Sequence, residues 1–391
     1  MSHAMWCHVH DLLDEGPDEA LMRMKDAGLN AVSVAGTYHV GRFLLPHNPR
    51  RKVVILEDGV TYFQPRAKTY PKPLQPVAST LCAGGDPYET IASAAARHDM
   101  HMRAWLVMLH NSRLGSTQPT MTLQNAFGDR YLHGLCPNQP EVRDFAIALA
   151  SDAALYPVRA LDLEALAFMG YEHPYHHEKR GMFLSPLDSF LLSICFCPAC
   201  STLFKARGIN AEICRAKVQK YITGRLRGDV SAPGTADEAQ LLAAFEEILG
   251  EDGLEMLKAR EATIVTLARA IRKAVRPEVE VILRTSFSPF FTGGKSALRP
   301  EAARSTGLAL MFTFFGAEPR SIRAEAERIH KECADQELHA GIMACAPDTN
   351  YPSQLEERYR ALGERWASIS FYHYGLMPLS NLGWIRAVLD D

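Results

Sequence analysis

The 391-residue chain lacks several features that assign a protein to a class at first sight. Its nine cysteines are too few for the disulfide framework of a small secreted domain. No apolar run approaches the roughly 18 residues that a membrane-spanning helix needs. A formal net charge of −3 offers no broad basic surface for nucleic acid. No glycine-rich phosphate loop follows a predicted strand, which argues against a nucleotide or NAD enzyme. We therefore expect neither a nucleic-acid partner nor a membrane partner.

The first eleven residues also lack the basic region and the apolar stretch of a secretory signal. We therefore expect a cytoplasmic protein, whose cysteines a reducing compartment keeps as thiols. Three of the cysteines nevertheless lie within the six residues 195–200. In a reducing compartment such clustering is more typical of metal ligands or catalytic groups than of disulfides.

Short apolar runs alternate with helical patterns along the chain. Eight of the runs have the composition of strands that are buried on both faces of a parallel sheet. The helical patterns begin at prolines, as in residues 140–155 and 319–337. Eight strands alternating with helices predict a (β/α)8 barrel of the α/β class, with an open doubly wound sheet as the alternative. The predicted strands are residues 6–10, 30–36, 103–110, 160–166, 279–286, 307–314, 339–346 and 367–374.

Two connections are longer than an ordinary loop between a barrel strand and the following helix. Residues 37–85, after the second strand, predict a β-rich insertion with a hairpin turn at residues 57–59. Residues 167–278, after the fourth strand, predict a helical insertion that contains the clustered cysteines. Insertions at this side of a barrel project over the mouth where active sites are built. We predict one barrel domain over residues 1–391, and the insertions leave a homo-oligomer as an open alternative to a monomer.

The carboxyl ends of the predicted strands carry polar and aromatic side chains. Parallel barrel strands bring their carboxyl ends to one mouth, so these side chains are expected to share a pocket. Their composition suits a polar substrate, and we expect a carbohydrate. The residues expected to contact it are His10, Asp11, Tyr38, His39, Trp105, His110, Asn111, His173, His177, Arg284, Tyr372 and Tyr374.

Two carboxylates on the fourth predicted strand are the first catalytic candidates. Alternation places Asp162 and Glu164 on one face of that strand. A carboxylate inside an apolar strand is costly unless it is solvated at the mouth or paired. Each could therefore be a structural acid bonded to Arg159 or Arg284, or a general acid or base. We expect Glu164 to be the general acid of glycoside hydrolysis, with retention or inversion left open. The second carboxylate would be Asp348, Asp162 or Asp11.

Histidines suggest a different chemistry at the first strand. The sequence His8-Val9-His10 resembles the His-x-His pair of metal-dependent barrel hydrolases. Those sites also use histidines on the fifth and sixth strands, and the corresponding predicted strands have none. A metal-dependent hydrolase is kept as an alternative function. The histidine-rich residues 172–178 are predicted to form a loop without the i, i+4 spacing of a zinc-binding helix, and we expect them to contact sugar or solvent.

The clustered cysteines form a C-x-C-x-x-C motif of Cys195, Cys197 and Cys200. A tetrahedral zinc site needs a fourth ligand, for which Cys136 is the best candidate and Cys214 the alternative. Four thiolates would leave no position for water, so the zinc would be structural. Three reduced cysteines without a metal are the simpler alternative.

The order of these motifs is similar to that of the family-42 β-galactosidases. Leu135-Cys136-Pro137-Asn138-x-Pro140-x-x-Arg143 precedes a strand that ends in glutamate, and the C-x-C-x-x-C motif and Leu203-Phe204 follow. The resemblance covers about 70 residues. It implies that the four cysteines hold zinc and that Glu164 is the proton donor. Leu163 stands where the family has asparagine, and the predicted seventh strand lacks the glutamate that serves the family as nucleophile.

These observations predict a relative of barrel glycoside hydrolases with a structural zinc site, rather than a β-galactosidase. The missing glutamate on the seventh strand also favours an alternative of another class, a carbohydrate-binding barrel without catalysis.

Overall fold

The computed structural model describes residues 1–173, 177–231 and 237–390. The centre of the histidine-rich loop, residues 174–176, therefore lies outside the described residues. At the centre of the molecule, eight parallel strands each pair with two neighbours, and β1 pairs with both β2 and β8. The sheet closes on itself, which confirms the predicted (β/α)8 barrel and excludes the open sheet. The barrel strands are β1 Ser2–Cys7, β2 Ala31–Tyr38, β3 His101–Val107, β4 Ala160–Glu164, β5 Glu280–Ser286, β6 Ala309–Thr313, β7 Leu338–Met343 and β8 Ser368–Tyr372.

Helices surround the barrel and cover the outer faces of its strands. Several of them begin with a proline in the first turn, where its missing N–H costs nothing. Asp86, for example, accepts hydrogen bonds from the N–H groups of Tyr88 and Glu89 at the start of the helix after it. The helices are α1 Val9–Glu15, α2 Pro17–Asp26, α3 Pro87–Arg97, α4 Ser112–Thr117, α5 Pro140–Ala153, α6 Pro186–Ser193, α7 Pro198–Ala206, α8 Ala211–Arg227, α9 Glu238–Leu249, α10 Glu251–Ala274, α11 Pro300–Ser305, α12 Pro319–Glu332, α13 Pro352–Leu362 and α14 Asn381–Asp390.

The first strand ends earlier than the sequence predicts. β1 stops at Cys7, and His8 is the N-cap of α1, so His8 and His10 are not alternate residues of a strand. The Asp11 carboxylate accepts the His8 backbone N–H at 2.8 Å, which satisfies the N–H of the N-cap residue from the first turn of the helix. This local bond starts the helix and corrects the expectation that β1 delivers His10 and Asp11.

The connection after β2 contains several short strands. Arg42–Leu44 pairs with Val53–Ile55 in an antiparallel ribbon, and we call residues 41–56 the flap. Val60–Thr61 instead pairs with the end of β2 and with Val77–Ala78. The predicted hairpin at residues 57–59 is therefore wrong in its pairing, because the strand after the turn extends the barrel sheet. Other short strands are Thr122–Gln124, Arg130–Leu135 and Ser296–Ala297.

The connection after β4 contains α6 to α10. Within the described part of the chain, no single helix is both long and apolar enough to cross a membrane. Taken together, α6 and α7 pass that test by length and composition, but they are bent by 96°. Their apolar side chains Leu187, Phe190 and Phe204 are buried inside the fold.

Candidate active site at the barrel mouth

A buried arginine organises the carboxyl ends of four barrel strands. Arg284 of β5 lies between the indole rings of Trp6 on β1 and Trp105 on β3. Its guanidinium carbon is 4.7 Å and 5.1 Å from the two ring centres. Asp162 pairs with Trp105 in the β3–β4 register, so β4 delivers its carboxylates beside the same cation. Side chains of these four strands thus form a buried polar cluster between two tryptophan rings.

Asp162 is completely buried and paired. Its Oδ1 accepts a hydrogen bond from Arg284 Nε at 2.8 Å, and its Oδ2 accepts from Arg284 Nη2 at 2.6 Å and from Trp6 Nε1 at 2.9 Å. Burial alone would lower the pKa of Arg284, but Asp162 and Glu164 outweigh it and raise that pKa above its usual range. The sequence left Arg159 and Arg284 as partners of a structural acid, and Arg284 is the one that binds Asp162. The two hydrogen bonds to Asp162 hold the Arg284 guanidinium in place.

Glu164 stands at the end of β4 with its side chain 24% exposed. Its Oε2 accepts hydrogen bonds from Trp105 Nε1 at 2.6 Å and Arg284 Nη1 at 2.7 Å. Its Oε1 lies 3.3 Å from the position that a Cβ would take on Gly294. One carboxylate oxygen is therefore fixed, while the other lies beside a residue without a side chain.

Lys295 lies close enough to Arg284 and Glu164 for their charges to change its pKa, and the sequence did not predict it as a residue of the site. Its Nζ donates a hydrogen bond to the Thr313 carbonyl oxygen at 2.9 Å, at the end of β6. Burial, together with the Arg284 charge and against the opposing effect of Glu164, lowers the pKa of Lys295 to about 8. The preceding pair Gly293-Gly294 is typical of a turn, and it does not indicate a lysine of the site.

Four imidazoles form what we call the histidine wall: His39, His110, His133 and His173. The ring centres of His39 and His110 are 4.0 Å apart, those of His110 and His173 4.2 Å, and those of His133 and His173 5.1 Å. Burial lowers the pKa of His173 to about 3 and holds that of His110 well below its ordinary value. The wall is therefore neutral near pH 7. His133 was missed because it comes from the short strand Arg130–Leu135.

A second group, which we call the histidine pocket, joins β1 to β8. It consists of His8, His10, His373 and Asp11. The His8 ring is 5.4 Å from that of His10 and 4.7 Å from that of His373. Burial raises the pKa of Asp11 to about 7 and lowers that of His10 to about 4.

The metal-dependent alternative is not supported by this geometry. Among the described residues, two groups bring at least three ligand atoms within 4.8 Å of one another, and neither includes His8 or His10. One group is the cysteine cluster. The other contains Glu280, Glu337 and His339, which start or precede β5 and β7 at the opposite end of the barrel.

Other predicted site residues bind protein groups. Asn111 Oδ1 caps α4 by accepting the Leu114 N–H at 2.9 Å. The Tyr374 hydroxyl donates to Glu15 Oε2 at 2.8 Å. Asp348 Oδ2 accepts the Gly316 N–H at 2.6 Å. Tyr38 and Tyr372 contact Trp105, and their ring centres lie 5.1 Å and 6.2 Å from its ring centre. His177 has a left-handed backbone conformation, with φ at +57°. Substrate contact by these residues stays a prediction.

The structure brings together the four predicted zinc ligands. The Cys136 sulfur lies 3.5 Å, 3.7 Å and 3.9 Å from the sulfurs of Cys200, Cys197 and Cys195, all buried. Tetrahedral zinc with Zn–S bonds of about 2.3 Å sets sulfurs about 3.8 Å apart, so the spacing fits such an ion. Cys214 lies elsewhere, with its sulfur 3.8 Å from Asp252 Oδ2.

N–H groups surround these sulfurs. The Gln124 backbone N–H donates to Cys195 at 3.4 Å, and Asn138 Nδ2 donates to Cys200 at 3.3 Å. Burial raises the pKa of the Cys136 thiol well above its ordinary value, so a set of thiolates here needs a compensating cation. Buried Arg260 is close enough for these cysteines to raise its pKa, although its own burial lowers that pKa to about 10.

Solved structures share this fold. The chain matches a β-galactosidase from Halorubrum lacusprofundi with a TM-score of 0.58 at 10% identity, over 100% of this chain and 58% of that one. A β-galactosidase from Marinomonas ef1 matches with a TM-score of 0.57 at 9% identity, over 100% and 59%. α-L-fucosidase isoenzyme 2 from Paenibacillus thiaminolyticus matches with a TM-score of 0.53 at 12% identity, over 100% and 49%.

The chain thus spans about half to three fifths of the length of these structures. No family model and no curated protein sequence matches it. At such identities the likeness shows the barrel fold, which agrees with the closed sheet described above.

Proposed function

We propose that the protein is a glycoside hydrolase-like enzyme that cleaves a glycosidic bond at the carboxyl-terminal mouth of its barrel. The observation that carries the proposal is Glu164, a partly exposed carboxylate whose Oε2 is bound by Trp105 and Arg284. Such a carboxylate is held in one orientation, as proton transfer to or from a bound substrate requires. The names of the structures with the same fold, β-galactosidases and a fucosidase, support a carbohydrate substrate.

Each residue has a separate part in the proposed reaction. As general acid, Glu164 gives a proton from Oε1, the oxygen that Trp105 and Arg284 leave free, to the glycosidic oxygen as the glycosidic C–O bond breaks. Water adds to the anomeric carbon, and the proton that this water loses restores the acid, directly or through the second carboxylate and solvent. Arg284 orients Glu164, and Asp162 is a positioning residue that acts through Arg284. Asp348, which follows β7, is proposed as the second carboxylate. Its Oδ2 accepts the Gly316 N–H and lies 3.6 Å from Arg358 Nη1, whereas Asp162 accepts three hydrogen bonds and Asp11 caps α1.

Replacing Glu164 by glutamine should lower hydrolysis by about 10²–10⁴-fold, because general acid–base catalysis contributes that much. Glutamine keeps an oxygen that can accept from Trp105 and Arg284, so we expect the variant to fold. The measurement is turnover of p-nitrophenyl β-galactoside, α-L-fucoside and β-N-acetylglucosaminide, with a thermal melt of each protein. Glu301→Gln on the exposed surface of α11 is the matched control.

Full turnover in the Glu164→Gln variant would reject the role of Glu164. Sugar binding without turnover in the unmodified protein would favour the second candidate, a carbohydrate-binding barrel without catalysis. One observation favours that candidate: β7, with the sequence LHAGIM, contains no acidic residue.

We also propose that Cys136, Cys195, Cys197 and Cys200 hold one structural zinc ion. The ion would cross-link the loop before α5 to the segment between α6 and α7 and to the first turn of α7. Four thiolates complete its coordination, so it supplies stability rather than a site for water.

Elemental analysis should therefore find about one zinc per chain. Cys197→Ser should lose the metal and lower Tm by several degrees, since a loss of about 1 kcal/mol shifts Tm by about 2–4 °C in a domain of 150–250 residues and by less in a longer chain. Cys214→Ser, which changes a buried cysteine outside the cluster, should keep both metal and Tm. A metal-free protein that melts like the original would reject the site.

A further inference from the structure

The histidine pocket contains buried polar atoms that the proposed mechanism does not use. Both ring nitrogens of His8 and His373, Nε2 of His10 and Oδ1 of Asp11 form no hydrogen bond with any described residue. His10 Nε2 and Asp11 Oδ1 lie 3.3 Å apart without forming one. All four residues are at most 2% exposed. Buried polar groups are rarely left unpaired, because each costs about 1–3 kcal/mol.

The pocket adjoins the proposed catalytic group. The His8 ring centre is 5.5 Å from Trp105, and Trp105 binds Glu164. A molecule in the pocket would therefore contact the same indole that orients the carboxylate.

The flap covers the pocket. The Phe43 ring lies nearly parallel to His8, with ring centres 5.2 Å apart and 20° between the planes. On the same ribbon, Leu44, Val53 and Ile55 are 66%, 56% and 70% exposed, so little protein holds the flap from outside. Its tip is fastened by side chains instead: Arg51 Nε lies 2.6 Å from Asp14 Oδ2, and His47 Nδ1 lies 2.6 Å from Glu15 Oε1.

We propose that His8, His10 and His373 form a subsite for a hydroxylated sugar ring, and that Phe43 covers this subsite until the flap lifts. The proposal rests on the proposed function for the choice of a sugar as the ligand. Phe43 presents a six-membered ring to His8, so its withdrawal leaves a slot suited to a pyranose.

The chemistry of the nitrogens favours hydroxyl groups over a metal ion. A neutral imidazole has one donor and one acceptor nitrogen, and a hydroxyl group can serve both. Burial keeps the pKa of His8 and His373 well below the ordinary value, which keeps these rings neutral. A histidine that binds metal almost always donates its other ring N–H to a partner, whereas neither nitrogen of His8 or His373 has one among the described residues.

The test is an NMR titration of protein labelled with ¹⁵N in its histidine rings. His8→Gln and His373→Gln assign the signals, and the probes are D-galactose, L-fucose, N-acetyl-D-glucosamine and Zn²⁺. We expect at least one sugar to shift the His8 and His373 signals saturably. Phe43→Ala should tighten that binding by about 5-fold, because it removes the competing ring. Leu44→Ala, the neighbouring outward residue, is the matched control and should bind like the unmodified protein.

The proposal would be overturned if no sugar shifts these signals in either the unmodified protein or Phe43→Ala. It would also be overturned if Zn²⁺ shifts them at micromolar concentration. A third contrary result would be that Phe43→Ala binds sugar no tighter than Leu44→Ala does. The titration measures binding and not turnover, so a failure of the proposed subsite can be distinguished from a failure of the proposed glycoside hydrolysis. Sugar-dependent shifts in a protein that hydrolyses no glycoside would reject the catalytic function and leave the subsite standing.

Discussion

Arg284→Met is expected to destabilise the protein by about 3–5 kcal/mol, the cost of removing one partner from a buried ion pair. Asp162 is completely buried and takes two of its three hydrogen bonds from Arg284. Without the guanidinium, the buried Asp162 carboxyl group keeps only the hydrogen bond from Trp6. Glu164 loses one of its two donors in the same variant, so hydrolysis should fall as well. Urea denaturation and turnover of an aryl glycoside measure the two effects.

A double variant separates the lost pair from general damage to the core. Arg284→Met combined with Asp162→Leu removes both charges, and buried ion pairs can be replaced by apolar groups with little loss. The double variant should therefore recover part of the stability but none of the activity. Arg97→Met, which breaks an exposed pair with Asp18, should be close to neutral. If Arg284→Met is as stable as the original, Arg284 does not organise the mouth.

Lowering the pH from 7 to 5 is expected to destabilise the protein strongly. In the folded state, burial lowers the pKa of His10 to about 4 and that of His173 to about 3. Burial also holds the pKa values of His8, His110 and His373 well below the ordinary value. Below the ordinary value of 6.5 the unfolded chain binds more protons, so the free energy of unfolding falls as the pH falls. Protonation of the unfolded chain therefore lowers the free energy of unfolding by about 2 kcal/mol at pH 5 for each of His10 and His173.

For His10 and His173 together the loss is about 4 kcal/mol, a large part of the roughly 5–15 kcal/mol that stabilise a typical native protein. His8, His110 and His373 act in the same direction. Asp11 acts in the opposite direction, because its pKa is raised to about 7 and the folded state takes up a proton below that value. The stability gained from Asp11 offsets the loss caused by about one histidine.

Urea denaturation at several pH values measures this effect. His110→Phe should flatten the dependence on pH, while His101→Phe, at an exposed position on β3, should leave it unchanged. A stability that does not vary between pH 7 and 5 would contradict the expected neutrality of the histidine wall and the histidine pocket.

The barrel was predictable because its strands are short, apolar and separated by helices that begin at prolines. All eight predicted strands overlap the observed ones, and the errors lie at their ends. At β1, a hydrogen bond between Asp11 and the His8 backbone starts a helix inside the predicted strand. Composition does not show such a bond, since the same residues would also fit a strand.

The candidate site was predictable in part. Strand alternation pointed to Asp162 and Glu164, and cysteine spacing pointed to the cluster. Trp6, His133 and Lys295 were not assigned to the site, because their positions depend on contacts between segments far apart in the chain. The pairing of Val60–Thr61 with β2 was missed for the same reason, since a turn signal does not identify the partner of the strand that follows it.

The passage from β1 to α1 restricts how this mouth can change. A single residue, His8, separates the last residue of the strand from the first residue of the helix. There is no loop at that point to lengthen, shorten or exchange. Variation on this side of the barrel must come from the segment that folds across it, residues 41–56. A library aimed at new substrates would therefore diversify that ribbon and leave the strand-to-helix junction intact.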